Sequence, residues 1–397
     1  VETITQHQTI ERQSDIPISV LLPSGKSFSC IPFQKKNKKW YVRFSSSETG
    51  VIELSTGEKL HIKQYSGANR LLLHGPIVLP EGQRRLAHLD GAPFFYLADT
   101  WWYAMTKRAS LKDLAVLLKD RKQKGFTSVQ VVIGGTPEVP FFSKEAQNAG
   151  GHPFTSNYRI NPAYFDEVDK KIEAILSYGI VPCIFGGWGH HIDLFGFEGA
   201  VMLWREILAR YASYPVMFCL TGEADIFYGA SRLKKFFFHH KRIALWNKIG
   251  EWIKEHDPYK RILMVHPHRN MRASKLFRNP SWLDIDSIQS GHSEESRVFM
   301  KSALAQAKEE GMPIINLEPW YEGILGNFGL EHQIEALRIS LESGACGHSY
   351  GAHGVWQMAS EDNFMGHWGA SNWKHAYKYP GSTAIGRVVK ARYNKSL

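Results

Sequence analysis

Two glutamates stand out by where they fall. Glu223 follows the apolar run Met217–Thr221, and Glu318 follows Pro313–Leu317. A pair of carboxyls can flank a glycosidic bond, one protonating the leaving oxygen while the other attacks the anomeric carbon. Taken singly, either could be a helix cap or a rim ion pair with an arginine. Together they read as an acid/base, Glu223, and a nucleophile, Glu318. Glu322, four residues on in Trp320-Tyr321-Glu322-Gly323, is the rival for the nucleophile. The surroundings suit sugar recognition. Trp101, Trp102, Trp188, Trp320 and Trp356 are candidate stacking rings; Asp99, Asp225, Tyr321 and Tyr350 are candidate partners for hydroxyls. The imidazoles His190, His266, His268, His292 and His353 join them. A metal reading fits less well. Metal-dependent barrel hydrolases often carry His-x-His at the end of strand one, whereas here His266-Pro267-His268 ends strand five. No GxSxG nucleophile elbow is present. Neither a metal nor a cofactor is expected.

Positioning these residues takes eight strands. The candidates are Phe94–Trp101, Ser128–Ile133, Val181–Phe185, Met217–Thr221, Ile262–His266, Ile285–Gln289, Pro313–Leu317 and Gly347–Val355. Helical stretches with the 3.6-residue apolar period alternate with them, as in Leu111, Leu114, Leu117 and Leu118. Eight such alternations predict a (β/α)8 TIM barrel over 77–397, with its chemistry at the C-terminal strand ends. A doubly wound sheet is the weaker alternative, since no GxGxxG follows the first strand. Residues 1–76 read instead as short strands with turns at Pro23-Ser24-Gly25 and Ser55-Thr56-Gly57, a small antiparallel β-sandwich.

Composition narrows the function classes. A hydrophobic fraction of 43% with 22% charged residues excludes a disordered chain. No apolar run reaches the roughly 18 residues that would span a membrane. The 48 Lys and Arg exceed the 38 Asp and Glu by 10, yet no nucleic-acid motif accompanies the surplus. The surplus then reads either as attraction for an acidic polysaccharide or as generic solubility. The four cysteines show no CxxC and no zinc spacing, and read as buried thiols.

The run Asp90-Gly91-Ala92-Pro93-Phe94-Phe95-Tyr96-Leu97-Ala98-Asp99-Thr100-Trp101-Trp102 resembles the barrel opening of the apiosidase-like glycoside hydrolases, the DUF4038 family that includes glycoside hydrolase family 140. Leu72-Leu73-His74-Gly75-Pro76-Ile77 and Tyr41-Val42-Arg43-Phe44 resemble its DUF5060-like N-terminal β-sandwich. The resemblance implies a (β/α)8 hydrolase of complex polysaccharides, with its acid/base after strand four and its nucleophile after strand seven. Those positions are Glu223 and Glu318. The chain departs from the wider retaining clan in having Gly222, where Asn usually precedes the acid/base. The expectation is a retaining glycosidase acting on a polysaccharide or oligosaccharide, in the periplasm or secreted with any signal peptide removed. A non-catalytic carbohydrate-binding barrel and a metal-dependent hydrolase are the alternatives.

Overall fold

A computed structural model describes residues 2–226, 232–360, 368–369 and 371–393. Its centre is a curled sheet of eight parallel strands. They are β1 (Tyr96–Trp101), β2 (Ser128–Ile133), β3 (Val181–Gly186), β4 (Met217–Cys219), β5 (Leu263–Met264), β6 (Asp286–Gln289), β7 (Ile314–Glu318) and β8 (Gly347–Tyr350). The hydrogen-bonded order is β5-β4-β3-β2-β1-β8-β7-β6, and the short strand Met271–Arg272 lies antiparallel on β6. Side chains help join β5 to β6. Asp284 accepts from the Leu263 amide at 2.7 Å and donates its own amide to the Leu263 carbonyl at 3.0 Å, while the Ser287 hydroxyl donates to the Val265 carbonyl. Every residue of these strands is buried, as in a parallel sheet covered on both faces. This is the TIM-barrel class that the alternation predicts.

The covering helices are α1 (Leu111–Lys124), α2 (Pro162–Ser177), α3 (Ile192–Tyr211), α4 (Arg232–His256), α5 (Ser296–Glu309), α6 (Leu330–Glu342) and α7 (Pro380–Tyr393). Local signals fix several ends. Ser110 and Asp113 form a reciprocal capping box before α1, and Gly125 ends it in the left-handed conformation at φ 90°. Asn161 caps α2 with Pro162 just inside it. Helix α7 was not anticipated from the sequence. Its apolar residues Ile385 and Val389 are buried where it packs between α1 and α6. Among the described residues no helix is long and apolar enough to cross a membrane.

Before the barrel lie two small sheets. One has the order Glu2–Thr5, Lys59–Lys63, Gly50–Leu54, Ile18–Leu21, Ser27–Cys30, and the other Ile10–Gln13, Trp40–Phe44, Phe33–Gln34. Burial alternates with period two, as in Leu60 and Ile62 against Lys59, His61 and Lys63. Pairing is antiparallel apart from Glu2–Thr5, which runs parallel to Lys59–Lys63. That first strand and Ile10–Gln13 fall in a stretch whose polar composition carries little strand signal.

A buried ionic network ties this region to the barrel. Arg43 reaches Asp169 of α2 at 2.7 Å and the Arg210 carbonyl of α3 at 3.1 Å. Arg210 in turn holds Asp169 at 2.9 Å and Glu206 at 2.6 Å. Both guanidiniums lie over the Phe33 ring, 4.9 and 4.4 Å from its centroid.

Candidate active site

Strand parity decides which of the sequence candidates meet. On β7, Asn316 and Glu318 point into the barrel, and Asn316 donates to the Ser290 hydroxyl at 3.0 Å. Beyond β4, Glu223 sits at the strand-four end with φ at 42°. A non-glycine residue in the left-handed region costs of order 1–3 kcal/mol, so its neighbours must impose it. They do so on three sides. The Glu223 amide donates to His266 Nδ1 at 3.1 Å, the Ala224 amide to the His266 carbonyl at 3.0 Å, and the Gly189 amide to the Gly222 carbonyl at 2.6 Å. A Cβ on Gly222 would stand 2.2 Å from the Trp188 ring. Glycine at that position is therefore what lets the indole lie beside the glutamate and donate to its Oε2 at 3.0 Å.

Four groups converge on Glu318. Gln289 donates to Oε1 at 2.6 Å, and His292 Nε2 stands 3.2 Å from the same oxygen. The Tyr321 hydroxyl is bonded to the carboxylate as well, and it accepts from Trp102 Nε1 at 3.1 Å. His266 Nε2 lies 3.5 Å from Oε2. The tautomers follow from the other ring nitrogens. Nδ1 of His266 accepts the Glu223 amide and Nδ1 of His292 accepts the Tyr321 amide, so each ring carries its proton on Nε2, facing Glu318. Burial pushes the His266 pKa down to about 4, which keeps that ring neutral.

The two carboxyls are driven apart electrostatically. Burial raises Glu223, and the neighbouring charge of Glu318 raises it further, to about 8. Burial would raise Glu318 too, but the His292 bond, the His266 ring and the Tyr321 hydroxyl outweigh it and hold the group at about 2. Gln289 also lies near enough to Glu223 to lower its pKa slightly against burial and the Glu318 charge. Gln289 was not among the expected site residues. Its one sequence signal was its place as the last residue of strand six.

Aromatic rings form the floor. Trp102 stands edge-on to Phe185, Trp188 and His266 with centroids at 4.8, 5.3 and 5.9 Å, and Trp356 is 6.0 Å from Tyr321. His268, partly exposed, brings Nε2 to 3.9 Å from Glu223, and Asp225 accepts the His268 amide at 2.7 Å. His353 lies beside His292. His190 packs on His191 with centroids 4.1 Å apart, on the turn after β3.

Five expected site residues are placed elsewhere. Asp99 and Trp101 face the helix layer, where Asp99 is fully buried and bonds Arg121 of α1 at 2.6 Å and the Trp101 indole at 2.7 Å. Tyr350 also faces the helices and donates to Glu322 at 2.5 Å, and Glu322 accepts the Gly381 amide at 2.9 Å. Trp320 is buried outside the barrel, donating to the Ser293 carbonyl and stacked on Phe328 at 5.8 Å. Asp99, Trp101, Tyr350, Glu322 and Trp320 thus fasten strands to helices and do not reach the mouth. Among the described residues, no group of three or more His, Cys, Asp or Glu side chains is arranged to hold a metal ion.

Residues 80–395 match the model of the family described as "Apiosidase-like, catalytic domain". No curated protein matches the chain. Solved structures do. One titled a glycoside hydrolase is 22% identical at TM-score 0.67, over 82% of this chain and 76% of that one. A glycoside hydrolase family 5 structure from Bacteroides vulgatus is 22% identical at TM-score 0.68, over 80% and 71%. A putative glycoside hydrolase from the same organism is 16% identical at TM-score 0.74, over 98% and 79%. Likeness at these identities shows a shared fold.

Proposed function

The chain belongs to the apiosidase-like family through its catalytic domain, and from that premise we propose that it is a retaining glycoside hydrolase with Glu318 as nucleophile and Glu223 as acid/base. The observation that carries this reading is the unequal surroundings of the pair: Gln289 and His292 stand 2.6 and 3.2 Å from Glu318, whereas Glu223 lies beside the Trp188 indole in the field of Glu318. An ionised Glu318 attacks the anomeric carbon while protonated Glu223 gives its proton to the leaving oxygen. Glu223, now a carboxylate, takes a proton from water. The hydroxide so formed displaces Glu318 and releases the sugar. Retaining enzymes place their carboxyls about 5–5.5 Å apart, the separation this mechanism requires of Glu223 and Glu318.

The rest of the reading follows. Residues 77–397 form the catalytic unit and 1–76 an accessory sandwich, in a secreted or periplasmic enzyme. The substrate is a polysaccharide or oligosaccharide, and the charge of +10 favours one bearing uronate or sulfate. A screen of acidic and neutral polysaccharides for released sugar tests this, with Glu223→Gln and Glu318→Gln as controls. Each substitution should cut turnover by about 100-fold or more. Full activity in both variants, or binding without turnover by the unaltered protein, would remove the proposal.

A further inference from the structure

The connection from β2 to α2, residues 134–161, is far longer than the ~12–15 residues beyond which irregular loops are either disordered or functional. This one is pinned. Asn148 donates to the Tyr164 carbonyl at 2.9 Å and accepts the Gly150 amide at 2.8 Å. Asn161 donates to the carbonyls of Gly150 and His152 at 2.9 and 2.8 Å. Its inner rings, Phe141 and Phe154, pack on Phe195 of α3 at 5.7 and 5.6 Å. Against that base two large rings face outward. Phe142 is 38% exposed and Tyr158 36% exposed, edge to face at 5.8 Å. Tyr158 sits at the tip of a small hairpin with φ at 53°, a conformation uncommon for an aromatic residue. The loop is continuous with the carboxylate centre. Trp368 donates to Glu138 at the loop's start and stands against His292, the partner of Glu318, while Phe141 packs on His191 beyond Trp188.

We infer that this loop is a stacking subsite for the part of a glycan chain that continues past the cleaved bond, with the ring faces of Phe142 and Tyr158 as its platforms. The inference rests on the proposed glycosidase reading, and it makes the substrate a chain of several sugars. A sugar ring offers an apolar face of C–H groups, and covering two exposed aromatic rings with such faces removes apolar area from water. Pinning the loop in advance lowers the ordering cost of binding.

Affinity electrophoresis through native gels holding pectin, arabinogalactan, xylan or glucomannan tests this without requiring turnover. The Glu318→Gln protein should be retarded by at least one polymer. Adding Phe142→Ala and Tyr158→Ala should weaken that retention by about tenfold or more, whereas Tyr158→Phe, which keeps the ring, should preserve it. Phe142 also packs on Phe141 and His152, so the melting temperature and the Tyr158→Phe protein check that a lost retention reflects the missing rings and not a collapsed loop. No retardation in any gel, equal retardation of the double-alanine protein, or loss on Tyr158→Phe would each overturn the subsite. Ring-dependent retention in a protein that releases no sugar would sink the hydrolase reading and leave the subsite standing.

Discussion

Glu318 and Glu223 are both buried at strand ends, and burial alone would keep both protonated. What separates them is the kind of neighbour each meets. Glu318 meets Gln289, His292, Tyr321 and His266, whereas Glu223 meets chiefly the Trp188 indole and the negative field of its partner. Under the proposed roles, the activity profile should be a broad bell. It falls as pH rises through about 8, where Glu223 loses the proton it must give, and falls again near 2, where Glu318 gains one. Tyr321→Phe removes one donor to Glu318. It should move the acidic limb of kcat/KM upward by about one pH unit while leaving the alkaline limb in place. An unmoved acidic limb would show that the hydroxyl does not stabilise the carboxylate.

At the scale of elements, most of the barrel was legible because its strands are continuous apolar runs between periodic helices. That Glu223 and Glu318 would both stand at C-terminal strand ends was legible because each directly follows an apolar run. Parity was not. Asp99 and Tyr350 lie on the right strands but one residue out of phase, so they turn toward Arg121 and Glu322 on the helix side. An apolar strand buried on both faces gives no alternation from which to tell the two sides apart. Helix α7 escaped for a related reason: its apolar stripe is short and broken by Gly381 and Gly386.

The loop after β1 shows how a helix can shape the site's surroundings from behind. Lys171 of α2 is buried, and its ammonium donates to the carbonyls of Ala104, Thr106 and Ala109 at 2.8, 2.7 and 2.7 Å. Lys171→Met would leave three buried carbonyls without that donor. At about 1 kcal/mol or more for each, the loss should be about 3 kcal/mol or more, read as a lower midpoint in chemical denaturation. A variant as stable as the parent would mean that water or a shifted loop replaces the ammonium.

Across the whole molecule, the N-terminal sheets are joined to the barrel by charge as well as by apolar contact. Arg43 has no exposed outlet: it is buried between Asp169, Glu11 and the Arg210 carbonyl. Arg43→Met should cost about 3 kcal/mol, because Asp169 and Glu11 lose a buried partner. The cost should be tempered by Arg210, which still holds Asp169. Equilibrium denaturation checks it, and an unchanged midpoint would show that the network contributes nothing to stability. The surplus of basic residues is legible in the sequence as a number, but its pairing is not. Arg43, Arg121 and Arg210 spend their charge on internal acids, so these three add little to any field at the surface.

The central claim is that one fold holds two adjacent carboxyls in opposite protonation states. Carboxyl carbon NMR of protein labelled at glutamate measures this directly, with resonances assigned by Glu223→Gln and Glu318→Gln. One resonance should titrate near 8 and vanish in Glu223→Gln, and a second, absent in Glu318→Gln, should stay ionised down to about 2. Glu223 should titrate lower once Glu318 is neutral, because the like charge is gone. Two resonances titrating together in the ordinary carboxylate range, or a high-pH resonance that belongs to Glu318, would contradict the claim.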